Sequence, residues 1–378
     1  SRRIADIYSL SLSMWITTEM DTSFERVRRT MLRQGQTDRV PLFELSIHHE
    51  IKAKILGAPI GNMQDEVNFW RVAGYDFVSV RAGVRSVVRQ LNPAVREWQL
   101  VRKGRAKHSE TGWVSKESSL IANREDFADF PFPKPEELGG DDGSTPLEDY
   151  LRSICAHLPA EMKLIVQLGY VFMGAWQIMG FENFAYMLAD DPEFVKMVVD
   201  RLASSQMAVL ETLLDYDCVG AIWMPDDMAY NSGPMVSPTV LRRYVFPWYQ
   251  RMVERCHQAN LPVGLHSDGD LKRLLPDLVA CGFDCIHPFE PPYNDIVAVK
   301  KEWGRYIAVA GNIDLKNTLC AGTPEMVEDE VRARAAELAV GGGWLVGSSN
   351  SIPDFVPIEN YKALLAASLK YGRYSSMG

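Results

Sequence analysis

An apolar run of the chain closes in Leu265-His266-Ser267-Asp268-Gly269, with two titratable side chains two residues apart. On a strand, positions i and i+2 share a face, so His266 and Asp268 can address one ligand together. Gly269 behind them permits a tight turn. The competing reading of Asp268 is an N-cap for a helix beginning near Leu271.

Polar residues close the other apolar runs too. The first ends in Glu44 and Ser46, with His48 and His49 following; the second ends at Arg81, with Arg85 one turn on. The third gives Gln167, Gly169 and Tyr170, and the fourth Asp226 and Asp227, then Tyr230. His287 and Glu290 follow from the sixth, Asn312 and Asp314 from the seventh, and Ser348, Ser349 and Asn350 from the eighth. So many polar groups at strand ends are costly unless the place is wet, paired or metal-bound. Some have purely structural readings: Asp226, Asp314 and Ser349 stand where helix N-caps are expected. His287, inside an apolar strand, reads as a hydrogen-bonded core histidine. His48 and His49 are adjacent and cannot both point into one mouth.

The elements that must position these residues form a series of β-rich runs. They are Pro41–Ser46, Asp76–Val80, Lys163–Leu168, Val219–Met224, Pro262–Ser267, Asp284–Phe289, Tyr306–Gly311 and Gly343–Ser348. Near-continuous apolar strands indicate a parallel sheet covered on both faces. Helical patterns lie between them: Pro192–Tyr216, Ser237–Asn260 behind a Ser-Pro cap, Thr323–Val340 behind Thr-Pro, and Ile358–Tyr371. Eight strands each followed by helix predict an α/β fold, a single (β/α)₈ TIM barrel with its chemistry at the carboxyl ends of the strands. The expected layout is one domain over 1–378, with an N-terminal extension to residue 25 and an elaborated loop over about 82–160. That loop carries a β-meander (Val87–Arg89, Glu97–Arg102, Gly112–Glu117) and a surface excursion, Asp126–Thr145.

Composition narrows the function. With 47% hydrophobic and 24% charged residues over 378, the chain can bury a large core without metals or disulfides to hold it. Forty Lys plus Arg against 49 Asp plus Glu, net −9, argue against charge-driven nucleic-acid binding and against a polybasic membrane anchor. No apolar run reaches the ~20 residues that span a bilayer, and Ile7–Ile16 does not read as a signal peptide. The six scattered cysteines are expected to be reduced thiols in a cytoplasmic protein. GxGxxG after a strand, GxxxxGK[ST], CxxC and GxSxG are all absent.

His266-Ser267-Asp268-Gly269, Gly311-Asn312-Ile313-Asp314, Thr323-Pro324-Glu325, Gly341-Gly342-Gly343-Trp344 and Pro357-Ile358-Glu359-Asn360-Tyr361 together resemble the uroporphyrinogen decarboxylase superfamily. Asp226 to Tyr230 with Ser237-Pro238, and Arg26 to Arg29 through Asp38 to Pro41, belong to the same pattern. The resemblance spans nearly the whole chain and implies a single (β/α)₈ barrel. The superfamily holds porphyrinogen decarboxylases, which grip carboxylates with an arginine-rich motif after the first strand, and methyltransferases that exchange methyl groups with a corrinoid protein. Here Glu44-Leu45-Ser46-Ile47-His48-His49-Glu50 carries no arginine in that place. Methyltransferases of this kind bind zinc through His-x-Cys and a later Cys. Here Asp268 replaces the first Cys, and Ser348 and Ser349 stand at the second.

The resemblance therefore implies a methyltransferase of O-demethylase type, moving a methyl group from a small, methoxylated aromatic substrate to the cobalamin of a separate corrinoid protein. Zn²⁺ would be held by His266, Asp268 and Glu290, with Asp227, Tyr230 and His266 catalytic. Glu44, His48, Arg81, Tyr170, Asn312 and Asn350 are the substrate-facing candidates. The alternatives are a metal-free decarboxylase, holding a carboxylate by Arg81 or Arg85 with Tyr170 or Asp227 handling the proton, and a non-catalytic ligand-binding barrel.

Overall fold

The computed structural model describes residues 21–82, 119–134, 137, 139–140 and 145–374. Seven parallel strands form one curled sheet: β1 (Phe77–Arg81), β2 (Lys163–Gln167), β3 (Val219–Pro225), β6 (Val263–His266), β7 (Cys285–His287), β8 (Ala308–Ala310) and β9 (Trp344–Leu345), adjacent in that order. A two-stranded ribbon, β4 (Ala229–Tyr230) with β5 (Gly233–Pro234), stands on the loop after β3. The architecture is that of a TIM barrel.

The first expected strand, Pro41–Ser46, forms bridges rather than a regular strand. Val346 N donates to Pro41 O at 3.0 Å and Phe43 N to Val346 O at 2.8 Å, which docks the segment on β9. On its other side Ser79 Oγ, from β1, donates to Leu45 O at 2.9 Å. The segment thus stands between the two ends of the curled sheet. Its departure from ladder pairing has a visible partner: side chains, not backbone, satisfy Leu45 O, with Gln167 Nε2 donating to it at 2.7 Å.

Aromatic rings plug the interior. Phe43 lies 4.6 Å from the Trp223 ring and 5.7 Å from that of Phe77, centroid to centroid. Gly264 makes room for them, because a Cβ there would stand 2.2 Å from the Trp223 indole. At the amino ends of the strands, Arg26 bridges Asp38 and the buried Asp76, which Arg39 Nη2 also meets at 3.0 Å. Arg26 and Arg39 therefore tie the barrel's far end and not its mouth.

The helices follow the sequence patterns with one break. Pro192–Leu213, Pro324–Leu338 and Ile358–Tyr371 lie within the expected spans, but Ser237–Asn260 divides into Pro238–Tyr244 and Phe246–Gln258. Pro247 is the reason: it lacks an N–H for the helix before it and fits only in the first turn of the next. A short helix, Arg124–Asp129, begins two residues before the expected surface excursion and runs into it. The proposed meander, Val87–Arg89, Glu97–Arg102 and Gly112–Glu117, lies outside the described residues, as does most of the N-terminal extension.

The cysteine expectation needs correction. Cys155 and Cys218 are joined as a disulfide, with Cα atoms 5.9 Å apart. The end of helix Leu147–Cys155 returns to the barrel beside the start of β3, bringing together two cysteines 63 residues apart in sequence. Cys256, Cys281 and Cys285 are buried free thiols, and Cys320 is half-buried and free.

Candidate active site

Strand register builds the site. β3 and β6 pair with Pro225 opposite His266, and β6 and β7 with His266 opposite His287. The residues leaving β3 therefore emerge beside His266, on the carboxyl face of the barrel.

Asp226 and Asp227 part company there. Asp226 is buried and accepts from the backbone amides of Val171 (2.9 Å), Phe172 (2.7 Å) and Met173 (2.6 Å), and from the Tyr249 hydroxyl. It caps helix Phe172–Met179, and burial raises its carboxyl to about 6 against those hydrogen bonds. Asp227 reaches the mouth, accepting from Asp268 N at 2.9 Å with the same Oδ1 that lies 3.7 Å from His266 Nε2. Asp268 Oδ1 is 3.5 Å from His266 Nε2, while Oδ2 accepts from Asn350 Nδ2 at 2.7 Å.

Asp227, His266 and Asp268 thus each offer a ligand atom, all within 4.8 Å of one another. Asp268 Oδ1 is buried and has no hydrogen bond. Burial, reinforced by Asp227 and Glu290 and opposed by His266, pushes the Asp268 carboxyl up to about 7. The two carboxylates repel each other and, together with the imidazole, suit a divalent cation; three such ligands with an open position are the catalytic zinc pattern. The orphaned oxygen makes this donor set fit a metal.

The turn that carries Asp268 is held from behind. Gly269 has φ +84°, and a Cβ on it would meet Ala229 O at 2.5 Å. Asp270 N donates to Tyr230 O at 2.9 Å, so ribbon and turn pack backbone against backbone.

A cavity of about 390 Å³ opens beside the trio. Tyr170, Met173, Trp176, Tyr230, Met235 and Tyr293 line it together with Asp227, Asp268 and Glu290. Among the described lining residues there are three carboxylates and neither lysine nor arginine. The Trp176 indole N–H is buried without a hydrogen-bond partner.

The structure distributes the other candidates widely. Tyr170 and Tyr230 line the cavity, Tyr230 standing 43% exposed at its rim. Glu290 lines it as well, but its Oε2 accepts from Gly269 N at 3.2 Å, and Asp227 occupies the place in the trio that the sequence assigns to Glu290. Asn350 holds Asp268. Glu44 is fully buried with both oxygens accepting from Ser348, and it does not line the cavity. Its side chain points inward because Gly347 and Ser348 of the neighbouring segment supply the room and the donors. His48 caps helix His49–Leu56, its Nδ1 accepting from Glu50 N at 3.4 Å, away from the cavity lining. Arg81 donates to Ser46 Oγ at 2.7 Å, and Asn312, buried, donates to Phe289 O at 2.7 Å; neither lines the cavity.

Asp314 and Ser349 are caps: Asp314 Oδ1 accepts from Asn317 N at 2.9 Å, and Ser349 Oγ from Leu315 N at 3.0 Å. His287 is the buried, hydrogen-bonded core histidine that its place in an apolar strand indicates. Its Nδ1 lies 2.8 Å from Nδ1 of His266. Aligning the ends of the two apolar runs, Leu265-His266 and Ile286-His287, as parallel neighbours is the signal that places the imidazoles side by side.

The uroporphyrinogen decarboxylase (URO-D) family model matches residues 110–371. Among curated proteins, a methylated-thiol–coenzyme M methyltransferase of Methanosarcina mazei is 26% identical over 206 residues, 54% of this chain and 53% of that protein. A methylcobamide:CoM methyltransferase, MtaA, of Methanosarcina barkeri is 29% identical over 147 residues, 38% of this chain and 42% of the relative. The chain spans about half the length, or less, of these relatives. A solved methyltransferase from Methanosarcina mazei superposes with TM-score 0.64 at 16% identity, covering 93% of this chain and 99% of that one, which is a likeness of fold.

Proposed function

The chain belongs to the uroporphyrinogen decarboxylase family, and on that premise we propose that it is a metal-assisted methyltransferase. In this reading it moves a methyl group from a small methoxylated aromatic to the corrinoid of a separate protein. The observation that carries it is the convergence of Asp227, His266 and Asp268, the two carboxylates of which line an aromatic-walled cavity. The methyltransferase names of the curated relatives support the reaction class. A porphyrinogen's carboxylates would meet three acidic side chains there and no cation among the described lining residues.

Asp227, His266 and Asp268 would hold Zn²⁺, which supplies Lewis-acid polarisation of the ether oxygen. Asn350 keeps one Asp268 oxygen engaged and so aims the other at the site. Tyr170, Trp176 and Tyr230 present ring faces and edges to a flat substrate, and the free Trp176 N–H is a donor for its oxygens. A corrinoid partner, when bound, would supply the methyl acceptor, and the substrate oxygen would keep the C–O electron pair. Burial and Asp227 hold the Glu290 carboxyl above its ordinary range, which suits it to give that oxygen a proton.

The test is single-turnover transfer. The full chain loaded with zinc is mixed with free cob(I)alamin and 2-methoxyphenol, and methylcobalamin and catechol are measured. Formation of both in equal amounts, lost in His266→Ala, is the expected result. Failure of any methoxylated aromatic to methylate cobalamin overturns the proposed substrate class.

A further inference from the structure

Below the metal trio runs one continuous chain of buried hydrogen bonds. Ser348 O lies 3.2 Å from His287 Nε2. A carbonyl oxygen only accepts, so that hydrogen belongs to Nε2 of His287. His287 is fully buried against the Phe43 ring, 5.4 Å between centroids, a setting that disfavours charge. Its Nδ1 is then a lone pair. The 2.8 Å contact between the two Nδ1 atoms consequently requires the hydrogen on His266. That leaves Nε2 of His266, the atom facing Asp227 and Asp268, as the free electron pair. Ser348 is itself fixed from the first segment of the barrel: its N and its Oγ each donate to Glu44 at 2.7 Å.

We propose that His287, anchored through Ser348 to Glu44, is a positioning residue that keeps the proton of His266 on Nδ1 and presents its Nε2 lone pair to a divalent cation between Asp227 and Asp268. Without that relay the carboxylates would draw the proton to Nε2, where it would have to be displaced before metal could bind. The purpose given to the relay rests on the metal reading above, but the proton's position does not.

The experiment uses the full chain labelled with nitrogen-15 histidine, stripped of metal, and followed by two-bond nitrogen–proton correlation spectra at a pH where His266 is neutral. Zinc affinity is measured in parallel by titration calorimetry. In the wild type, His266 should be protonated at Nδ1. His287→Phe should move the proton to Nε2 and weaken zinc about ten- to a hundredfold, the usual range for such partners. His287→Gln should restore both, since its amide can donate to Ser348 O and accept from His266 Nδ1. A metal-free wild type with Nδ1 unprotonated, or a folded His287→Phe protein with an unmoved proton, overturns the relay. Should His287→Phe not fold, the wild-type spectrum and His287→Gln decide. The wrong tautomer in a protein that binds zinc would remove the relay and spare the metal reading; the right tautomer in a protein that binds none would do the reverse.

Discussion

His266 and His287 meet through their Nδ1 atoms at 2.8 Å, one half-buried at the barrel mouth and the other fully buried beneath it. Burial and the neighbouring His266 hold His287 well below the ordinary histidine range, so it is the neutral partner. The contact joins a fully buried side chain to one beside the cavity.

Metal content separates the trio from its neighbours. Wild-type protein should carry close to one zinc per chain, and His266→Ala should carry none. Asp227→Asn and Asp268→Asn each remove a charged ligand and should weaken zinc by more than a hundredfold, beyond what loss of a supporting partner does. Glu290→Gln should leave metal content unchanged, because Glu290 is engaged with Gly269 N and stands outside the trio. Elemental analysis after dialysis checks all four. Loss of zinc in Glu290→Gln, with retention in Asp227→Asn, would restore the sequence-based ligand set.

Glu44 makes stability fall as pH rises. Burial pushes its carboxyl up to about 8, against about 4.3 in an unfolded chain. Between those values the folded state holds a proton that the unfolded state has released, so each pH unit upward removes about 1.4 kcal/mol. Glu44→Gln keeps an acceptor for Ser348 and should cancel that slope. Urea denaturation should then find the variant no more stable than wild type near pH 4 and clearly more stable near pH 8. Parallel curves across the interval would mean that Glu44 is ionised in its pocket.

Asp226 is predicted to act on stability. Replacing it with Ala leaves three backbone amides and the Tyr249 hydroxyl without their acceptor. Buried unsatisfied donors cost about 1–3 kcal/mol each, so a loss of about 3 kcal/mol or more is expected by chemical denaturation. Zinc affinity of the folded fraction should stay at the wild-type value, since Asp226 faces away from the trio. Wild-type stability in Asp226→Ala would contradict its role as the cap of helix Phe172–Met179.

Uroporphyrinogen should not be decarboxylated. The cavity offers Asp227, Asp268 and Glu290 among its described lining, and Arg81 is turned to Ser46. Coproporphyrinogen formation, followed by chromatography under conditions where a porphyrinogen decarboxylase turns over, would reverse the choice between the two enzyme readings.

The barrel was legible in the chain because each strand announces itself locally. Runs such as Leu164-Ile165-Val166 and Ala221-Ile222-Trp223 are apolar on both faces, which only a doubly covered parallel sheet accommodates. The pair His266 and Asp268 was legible because the two stand two residues apart where an apolar run closes, one ending the strand and the other on the turn behind it. Which third group joins them was not. Asp226 and Asp227 are chemically identical and adjacent, and their roles are decided by backbone direction after β3: one turns to the amides of helix Phe172–Met179, the other to His266. Glu44 likewise ends an apolar run as a substrate ligand would, yet Ser348, 304 residues away in sequence, claims both its oxygens. Local pattern determines that a polar group stands at a strand end; only the neighbouring strand, brought alongside by the closing of the barrel, decides whether that group faces solvent, a cation or another buried side chain.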